Sequence, residues 1–494
     1  MTAPIVAEHD NDPARVCGII SKQLDVWQEI EDVLGGTREL RKKAKDKYLP
    51  QHPGEKDPNY QRRVKRMRLF PAFKETIEGC TGIVFREPPK LDPKTSADLL
   101  HDAEDIDGMG NSLEIFGRRL FWQGLAKGWH GILVDMPVIE NPERTSGINE
   151  KYDGVRPYWS MIHGSQVLNV DAIWFNGRYW FRQLVIRYDL TRRKGRFGEE
   201  QYCLIKEWLV MPSGRVAWLT WEQNENKKWV ATGHKGLLQN CTRIPFVPFY
   251  AGRFLAPLHA EPPLDELLIT NLNHMRLDTN FETSLEVGLG PILWTRGRGS
   301  TDALVVGPFA TIDLTDPNGQ VGYAEPTGAS WSAAQERLKE YKNEEAAMGL
   351  AMLQRETRQA ETVEAKRMDK EEQHSKLAVA AIGFKDALED AWSIHAEFKK
   401  KPAPSVLLSI DFERLEMPAE EIRVWSERVS AGQLSLQTFW QMLVEGRKLP
   451  EDFKPELELQ RLADEAARLM PPEKEPPPTG EEDDEDPTRA GAAA

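Results

Sequence analysis

The sequence predicts a mixed α+β protein, and two segments of contrasting composition support that prediction. Residues 331–401 contain no proline and only two glycines, and apolar side chains recur there every three or four residues. Residues 158–250 are instead rich in β-branched and aromatic residues, in runs separated by turns such as Pro212-Ser213-Gly214. The first segment is typical of long helix, and the second is typical of an antiparallel meander.

The helical segment is too long for a compact domain. About 70 helical residues would extend roughly 100 Å at about 1.5 Å per residue. The segment therefore either breaks and folds back, or it is buried against further copies of the chain. Both alternatives favour a component of a large assembly over a small-molecule enzyme.

The elements before the meander follow from local signals. Residues 1–24 are expected to form a loose leader, and helices are expected over residues 26–40 and 60–79. A further helix over residues 111–128 leads into a short apolar strand at 129–135. Many tryptophans lie in the meander that follows, and we expect them to fill the core on one face of its sheet.

The second half of the chain begins with a clear helix start. Pro262 and Pro263 precede a helical pattern, and proline is favoured before and within the first turn. A strand-containing insert, the long helical segment and a strand over residues 403–412 follow in that order. Shorter helices over residues 418–470 precede a tail, 471–494, whose proline and acid content predicts disorder.

The composition is typical of a soluble protein of two to four domains. The chain has 494 residues, of which 40% are hydrophobic and 29% are charged. No apolar run approaches the ~20 residues of a membrane span, and the amino terminus lacks signal-peptide features, so we expect a cytosolic protein. The four cysteines are scattered without a CxxC pair, which argues against disulfides and against a zinc site.

Charge is unevenly distributed along the chain. The net charge is −14, and the tail contributes −6 of it through eight acids and two bases. Residues 38–74 carry thirteen basic and four acidic residues, or +9. Such a stretch can contact nucleic-acid phosphates. We favour a solvated helical face, or a surface matched to an acidic neighbouring subunit, since few aromatic residues lie among these charges and the whole protein is acidic.

Motifs of known catalytic chemistry are absent from the sequence. There is no GxxxxGK[ST] phosphate loop, no HExxH or GxSxG, and no glycine fingerprint of a dinucleotide-binding fold. Asp313, Asp316 and Asn318 are interpreted as a turn, and His274 and His395 as core or surface residues of helices. We therefore predict no catalytic, cofactor-binding or metal-binding residues.

Several short motifs follow one another in an order typical of one family. They are Trp27 with Asp32 and Gly35, YLP (48–50), GIVFREPP (82–89), GILVDMP (131–137), IPFVP (244–248), PLDEL (263–267), NLNH (271–274) and ETVEAKR (361–367). Over about residues 25–460, this succession resembles the portal proteins of tailed bacteriophages. Met275 and Arg276 depart from the pattern, because an aromatic residue is expected after His274.

The resemblance implies a portal-type fold, with an α/β wing, a helical stem, a small β-containing clip, a long helix and an α-helical crown. Its parts would be the wing (25–262), the first stem helix (263–289), the clip (290–329), the second stem helix (330–352), a channel loop (353–362), the long wing helix with a strand (363–414) and the crown (415–470). The leader and the acidic tail lie outside it.

The resemblance also implies a function without catalysis. Such proteins form a homo-oligomeric ring, usually of twelve subunits, at one vertex of the virion capsid, after assembly in the cytoplasm of the bacterial host. Double-stranded DNA would pass through the ring during packaging and ejection. The terminase large subunit, a head–tail connector or adaptor, and a scaffold or major capsid protein would be its partners, with no cofactor and no membrane.

The channel would be lined mainly by acidic side chains, which repel DNA phosphates. The first stem helix supplies Asp265, Glu266, Asp278, Glu282 and Glu286. Transient contacts to DNA would come from the loop at 353–362, through Arg355, Arg358 and Gln359. Neutralising both arginines is expected to impair DNA retention or packaging without preventing ring assembly. Two alternatives remain: a head-assembly or connector subunit without a channel, and a nucleic-acid-processing enzyme with a site of scattered acids.

Overall fold

The computed structural model describes residues 12–137, 155–175, 177–238, 241–289, 292–297, 312, 314–324, 329–351, 375–410, 419–445, 448–449 and 453–469. The chain divides into two compact units, Met1–Phe412 and Glu413–Ala494. Helices and strands both contribute to the first unit, so the expected mixed α+β class is observed.

Helices dominate the first part of the chain. They are α1 (Gly18–Leu34), α2 (Gly36–Lys42), a five-residue π-helix (Ala44–Tyr48), α3 (Asp57–Arg66), α4 (Ala72–Val84), α5 (Ala97–Glu104) and α6 (Leu113–Lys127), with a short strand β1 (Lys90–Leu91) before α5.

Two sequence-based boundaries in this part are corrected by the structure. The expected leader does not extend to residue 24, because α1 begins at Gly18 and buries Ile20 completely. The single helix expected over 60–79 is two helices, α3 and α4, on either side of Met67 and Pro71. Proline lacks a backbone N–H and its ring opposes a continuing helix, which explains the break before α4.

A three-stranded antiparallel sheet forms the centre of the first unit. Its strands are β2 (Trp129–Asp135), β3 (Tyr158–Ile162) and β9 (Phe246–Tyr250), with β2 in the middle. Every residue of β2 is buried, as expected for a short apolar run. Gly128 joins α6 to β2 with φ of +87°, a conformation that glycine adopts without strain.

A five-stranded meander lies between β3 and β9 in sequence. Its strands are β4 (Val167–Phe175), β5 (Arg178–Lys194), β6 (Gly198–Val210), β7 (Val216–Gln223) and β8 (Trp229–Leu237), paired in that order. The meander expected over 158–250 is thus too wide, because its first and last strands pair with β2 instead. Trp208 is fully buried as expected, but Trp174 near the β4–β5 turn is 64% exposed, so the tryptophans do not all fill the core.

The remaining elements of the first unit follow β9. They are β10 (Arg253–Ala256), β11 (His259–Glu261), α7 (Asp265–Leu289), β12 (Ile292–Arg296), β13 (Gln320–Ala324), α8 (Ala329–Ala351), α9 (Lys376–Lys399) and β14 (Val406–Leu407). Strand β14 pairs antiparallel with β1 and is shorter than the strand expected over 403–412. Residues 352–374, between α8 and α9, lie outside the described residues.

Helix α9 packs on the central sheet through aromatic side chains. Phe384 lies between Phe121 and Phe249, with ring centroids 5.3 and 5.4 Å away in edge-to-face arrangements. His395 is a core residue, since it is fully buried and its Nε2 lies 2.9 Å from Asp102 Oδ2. The helix therefore finds burial partners within this chain.

The second unit contains three described helices. They are α10 (Ala419–Ser430), α11 (Leu436–Glu445) and α12 (Pro455–Leu469). They correspond to the helices expected over 418–470. The tail at 471–494 lies outside the described residues.

Candidate channel-facing helical pair

Helices α7 and α8 form an antiparallel pair with a strand hairpin between them in sequence. His274 of α7 contacts Glu345 of α8, and Gly288 at the end of α7 lies against Trp331 at the start of α8. A Cβ at Gly288 would overlap the Trp331 indole, so this close approach requires glycine. Strands β12 and β13 pair antiparallel from Ile292 with Ala324 to Arg296 with Gln320.

The first half of α7 anchors the pair to the rest of the first unit. Leu264 just before the helix is buried, and so are Leu267, Leu268, Leu272 and Met275 within it, at helical spacing. The second half is more open, with Glu282, Ser284 and Glu286 exposed and Phe281 still covered. One end of the pair is therefore fixed in the core, and its other end carries mostly polar surface.

A buried polar cluster joins the two helices, and we call Asn271, His274 and Glu345 the Glu345 cluster. Glu345 is 2% exposed, and its Oε1 accepts from Asn271 Nδ2 at 2.9 Å and lies 3.0 Å from His274 Nδ1. The His274 ring stacks on Tyr341 with centroids 5.8 Å apart. Asn271 Nδ2 also donates to the Phe70 carbonyl at 2.8 Å, which ties the cluster to the segment before α4.

Two oxygens of this cluster lack a partner among the residues that the structure describes. Glu345 Oε2 and Asn271 Oδ1 are buried and make no hydrogen bond to the described residues. Buried polar atoms without a partner destabilise the folded state. Breaking the cluster's remaining hydrogen bonds would leave more such atoms, so these bonds hold α7 and α8 together.

Sequence reasoning assigned no role to Glu345. Glu344 and Glu345 stand side by side in a charged, alanine-containing helix, which is typical of solvated surface. Only contacts across the helical pair distinguish the buried residue from the exposed one. Interpreting His274 as a core or surface residue was closer, because His274 is a core residue.

The acidic residues of α7 occupy different environments. Asp278, Glu282 and Glu286 are spaced by four and lie along one face of the helix. Glu282 is exposed and Asp278 is half-buried, whereas Glu286 forms an ion pair with Arg66 of α3. At the other end of α7, burial raises the pKa of Asp265, helped by the charges of Glu266, Glu29 and Glu261.

The expected DNA-contacting residues cannot be placed beside these acids. Arg355, Arg358, Gln359 and the loop at 353–362 lie outside the described residues. That α7 and this loop face a common channel therefore stays a prediction.

Helix α8 presents a charged outer surface. Arg337 pairs with Glu340 and Glu344, each at 2.8 Å, and its guanidinium lies 4.1 Å from the centre of the Tyr341 ring. Ala333, Ala346 and Ala347 are exposed on the two sides of this charged group along the helix. This surface has no apolar stripe that would require further burial.

Metal binding and membrane insertion find no support in the part of the chain that the structure describes. No group of three or more His, Cys, Asp or Glu side chains there could hold a metal ion. None of the helices there combines the length and apolar character that crossing a membrane would need.

Comparison with known proteins gives a family match and a number of similar structures. Residues 263–399, which contain the helical pair and α9, match the family described as "Domain of unknown function (DUF4055)". No curated protein matches the chain. The chain is similar to one in "Virion of native gene transfer agent (GTA) particle", with 12% identity, coverage of 82% of this chain and 98% of that one, and a TM-score of 0.38.

A second similar structure is "Neck of native GTA particle computed with C12 symmetry". The identity is 10%, the match covers 80% of this chain and 96% of that chain, and the TM-score is 0.36. Both TM-scores are below 0.5. The family match covers less than half of the chain and its description assigns no activity.

Proposed function

We propose that this chain is a structural subunit of a phage-like particle, and specifically the subunit of a portal ring through which DNA is packaged and ejected. The helical pair α7–α8 is the observation that carries the proposal. It is anchored at one end, closed by the Glu345 cluster, and mostly polar over the rest of its surface. The order of the motifs between residues 25 and 460 supports the same conclusion.

The charge of α7 suits a wall along which DNA slides. Within Asp265–Leu289, five acids (Asp265, Glu266, Asp278, Glu282, Glu286) stand against one arginine, Arg276. Exposed charges act over about one Debye length, roughly 8 Å at physiological salt. An acidic wall therefore repels phosphates only when DNA is close, which prevents adhesion without excluding DNA from a wider channel.

A rigid α7–α8 pair suits this role because the channel wall has to keep its shape while DNA passes. The Glu345 cluster fixes the two helices near the core, and the Gly288–Trp331 contact fixes them at the other end. In the proposed ring, copies of this pair surround the axis, the terminase docks on one side and the head–tail connector on the other.

The first experiment measures assembly. Purified full-length protein is analysed by light scattering after size exclusion and by negative-stain imaging. We expect annular particles with a mass that is a multiple of 56.3 kDa, the mass of one chain. A monodisperse monomer at all concentrations would contradict it, and compact oligomers without a central hole would favour the connector alternative.

The second experiment tests the orientation of α7. Asp278→Asn combined with Glu282→Gln removes two negative charges from its open face, whereas Glu199→Gln with Glu225→Gln removes two from exposed positions on the meander. Assembled rings carrying the first pair are expected to retain DNA more tightly at low salt than rings carrying the second pair. Equal retention by both variants would show that α7 does not face the DNA.

A further inference from the structure

A groove between α4 and α6 has the features of a small-ligand site that the proposed function does not use. Its cavity volume is about 310 Å³, and it is lined by Glu78, Thr81, Arg118, Arg119, Trp122 and Gln123. This volume is at the lower end of the range for small-molecule sites, about 300–1,000 Å³.

The four lining residues of α6 lie on one side of that helix. Arg118 and Trp122 are separated by four residues, as are Arg119 and Gln123, so their side chains are neighbours on the helix surface. Both arginines are exposed, and neither forms a hydrogen bond or an ion pair with another described residue. Two guanidinium groups are therefore available to an anion at the mouth of the groove.

Two of the lining residues carry buried groups without a hydrogen-bond partner among the described residues. Thr81 is 1% exposed, and its Oγ1 has no hydrogen-bond partner among the described residues. The side-chain oxygen of Gln123 is likewise buried and unpaired there. A hydroxyl can donate and an amide oxygen accepts, so a ligand that offers both an acceptor and a donor would satisfy them together.

We propose that this groove binds a mononucleotide, with its phosphate on Arg118 and Arg119, its base against the Trp122 indole, and the base edge toward Thr81 and Gln123. A nucleobase carries donors and acceptors on one edge and a flat face that stacks on aromatic rings. The carboxylate of Glu78 also lines the groove but is 3.7 Å from Lys74 Nζ, so its charge is partly balanced. The nucleotide is either free or the terminal residue of a strand.

Calorimetric titration of the full-length protein tests this proposal. The probes are dAMP, inorganic phosphate, deoxyadenosine and a single-stranded oligonucleotide with a terminal phosphate. Binding of dAMP is expected to be at least about tenfold tighter than binding of phosphate or the nucleoside alone, because only dAMP engages both ends of the groove. If the oligonucleotide binds as tightly as dAMP, the ligand is a strand end, and if it binds more weakly, the ligand is a free nucleotide. Equal affinity for dAMP and phosphate, or no binding of any probe, would overturn the proposal.

Variants separate the site from general attraction of anions. Arg118→Gln is expected to weaken dAMP binding by about tenfold or more. Arg62→Gln, at another exposed helix arginine that pairs with no described residue, should leave it unchanged. Thr81→Val removes a buried unsatisfied hydroxyl, so it should weaken binding while leaving the unfolding midpoint unchanged or raised. A similar loss of affinity in the Arg62 variant, or no loss in the Thr81 variant, would show that the groove is not the site.

Discussion

Replacing Glu345 with alanine is expected to open the α7–α8 pair. The change removes the acceptor of Asn271 Nδ2 and the partner of His274 Nδ1, both of which are buried. Asn271 keeps its bond to the Phe70 carbonyl, so the ring nitrogen of His274 carries most of the penalty. Leaving a buried polar group unpaired costs about 1–3 kcal/mol, and the cavity adds to it. Removal of the unpaired Glu345 Oε2 offsets part of this, and we expect a net cost of about 3 kcal/mol.

The neighbouring residue provides a matched control. Glu344 pairs with Arg337 at 2.8 Å, and the two side chains are 40% and 43% exposed. Exposed ion pairs contribute at most about 1 kcal/mol, so Glu344→Ala removes the same side chain from the same helix at small cost.

Hydrogen exchange of the full-length protein, followed by mass spectrometry, measures the difference locally. Peptides from Asp265–Leu289 and Ala329–Ala351 should exchange on the order of a hundredfold faster in Glu345→Ala, since about 1.4 kcal/mol corresponds to a factor of ten. In Glu344→Ala the same peptides should change by less than about fivefold. Equal protection in the two variants would refute the argument that the Glu345 cluster closes the pair.

Two further predictions concern stability. Burial, with the nearby charges of His163 and Lys127, lowers the pKa of His130 to about 3. The unfolded chain takes up this proton near pH 6.5 and the folded chain does not, so stability should fall by about 1.4 kcal/mol per pH unit from pH 6.5 toward 3. Urea midpoints at pH 7 and pH 5 measure the loss, and a pH-independent midpoint would contradict it. The second prediction concerns two glycines. Gly124→Ala should destabilise the protein by about 1–3 kcal/mol because a Cβ would overlap the Phe249 ring, whereas Gly79→Ala, with open space around it in α4, should stabilise it by up to about 1 kcal/mol. Calorimetric scans that rank the two variants the other way would refute this.

The elements that sequence reasoning located are those with local start and stop signals. The Ser112 hydroxyl accepts from the Ile115 N–H at the start of α6, and Gly128 ends that helix, so its bounds are close to the expected 111–128. Strand β2 was recognisable because it is a continuous apolar run between such signals. For the helical pair, Pro262 and Pro263 gave the position at which α7 begins.

Contacts between distant segments were not predictable in the same way. Strands β3 and β9 look like members of the meander, and only their pairing with β2 assigns them to the central sheet. The burial of Lys127 is a similar case. It stands in the last turn of α6, where a basic residue usually faces solvent, yet it is 1% exposed and contacts Glu31 and His163. A lysine can be buried there only because α1 and the turn before β4 supply those partners.

The ion pairs within this chain alter how the uneven charge of the sequence is interpreted. Within the basic stretch at 38–74, Arg63 is buried and pairs with Glu55, and Lys43 pairs with Asp32. Arg66 pairs with Glu286, which joins the basic stretch directly to the acidic helix of the proposed channel wall. Part of the +9 charge is therefore balanced by acids elsewhere in the chain, through Lys43 and Arg66. The remaining exposed cations are those that can act on an external partner. The acidic face of α7 is correspondingly weaker than its sequence suggests at Glu286 and strongest at Glu282, which is why a test of DNA retention should change Asp278 and Glu282 and leave Glu286 in place.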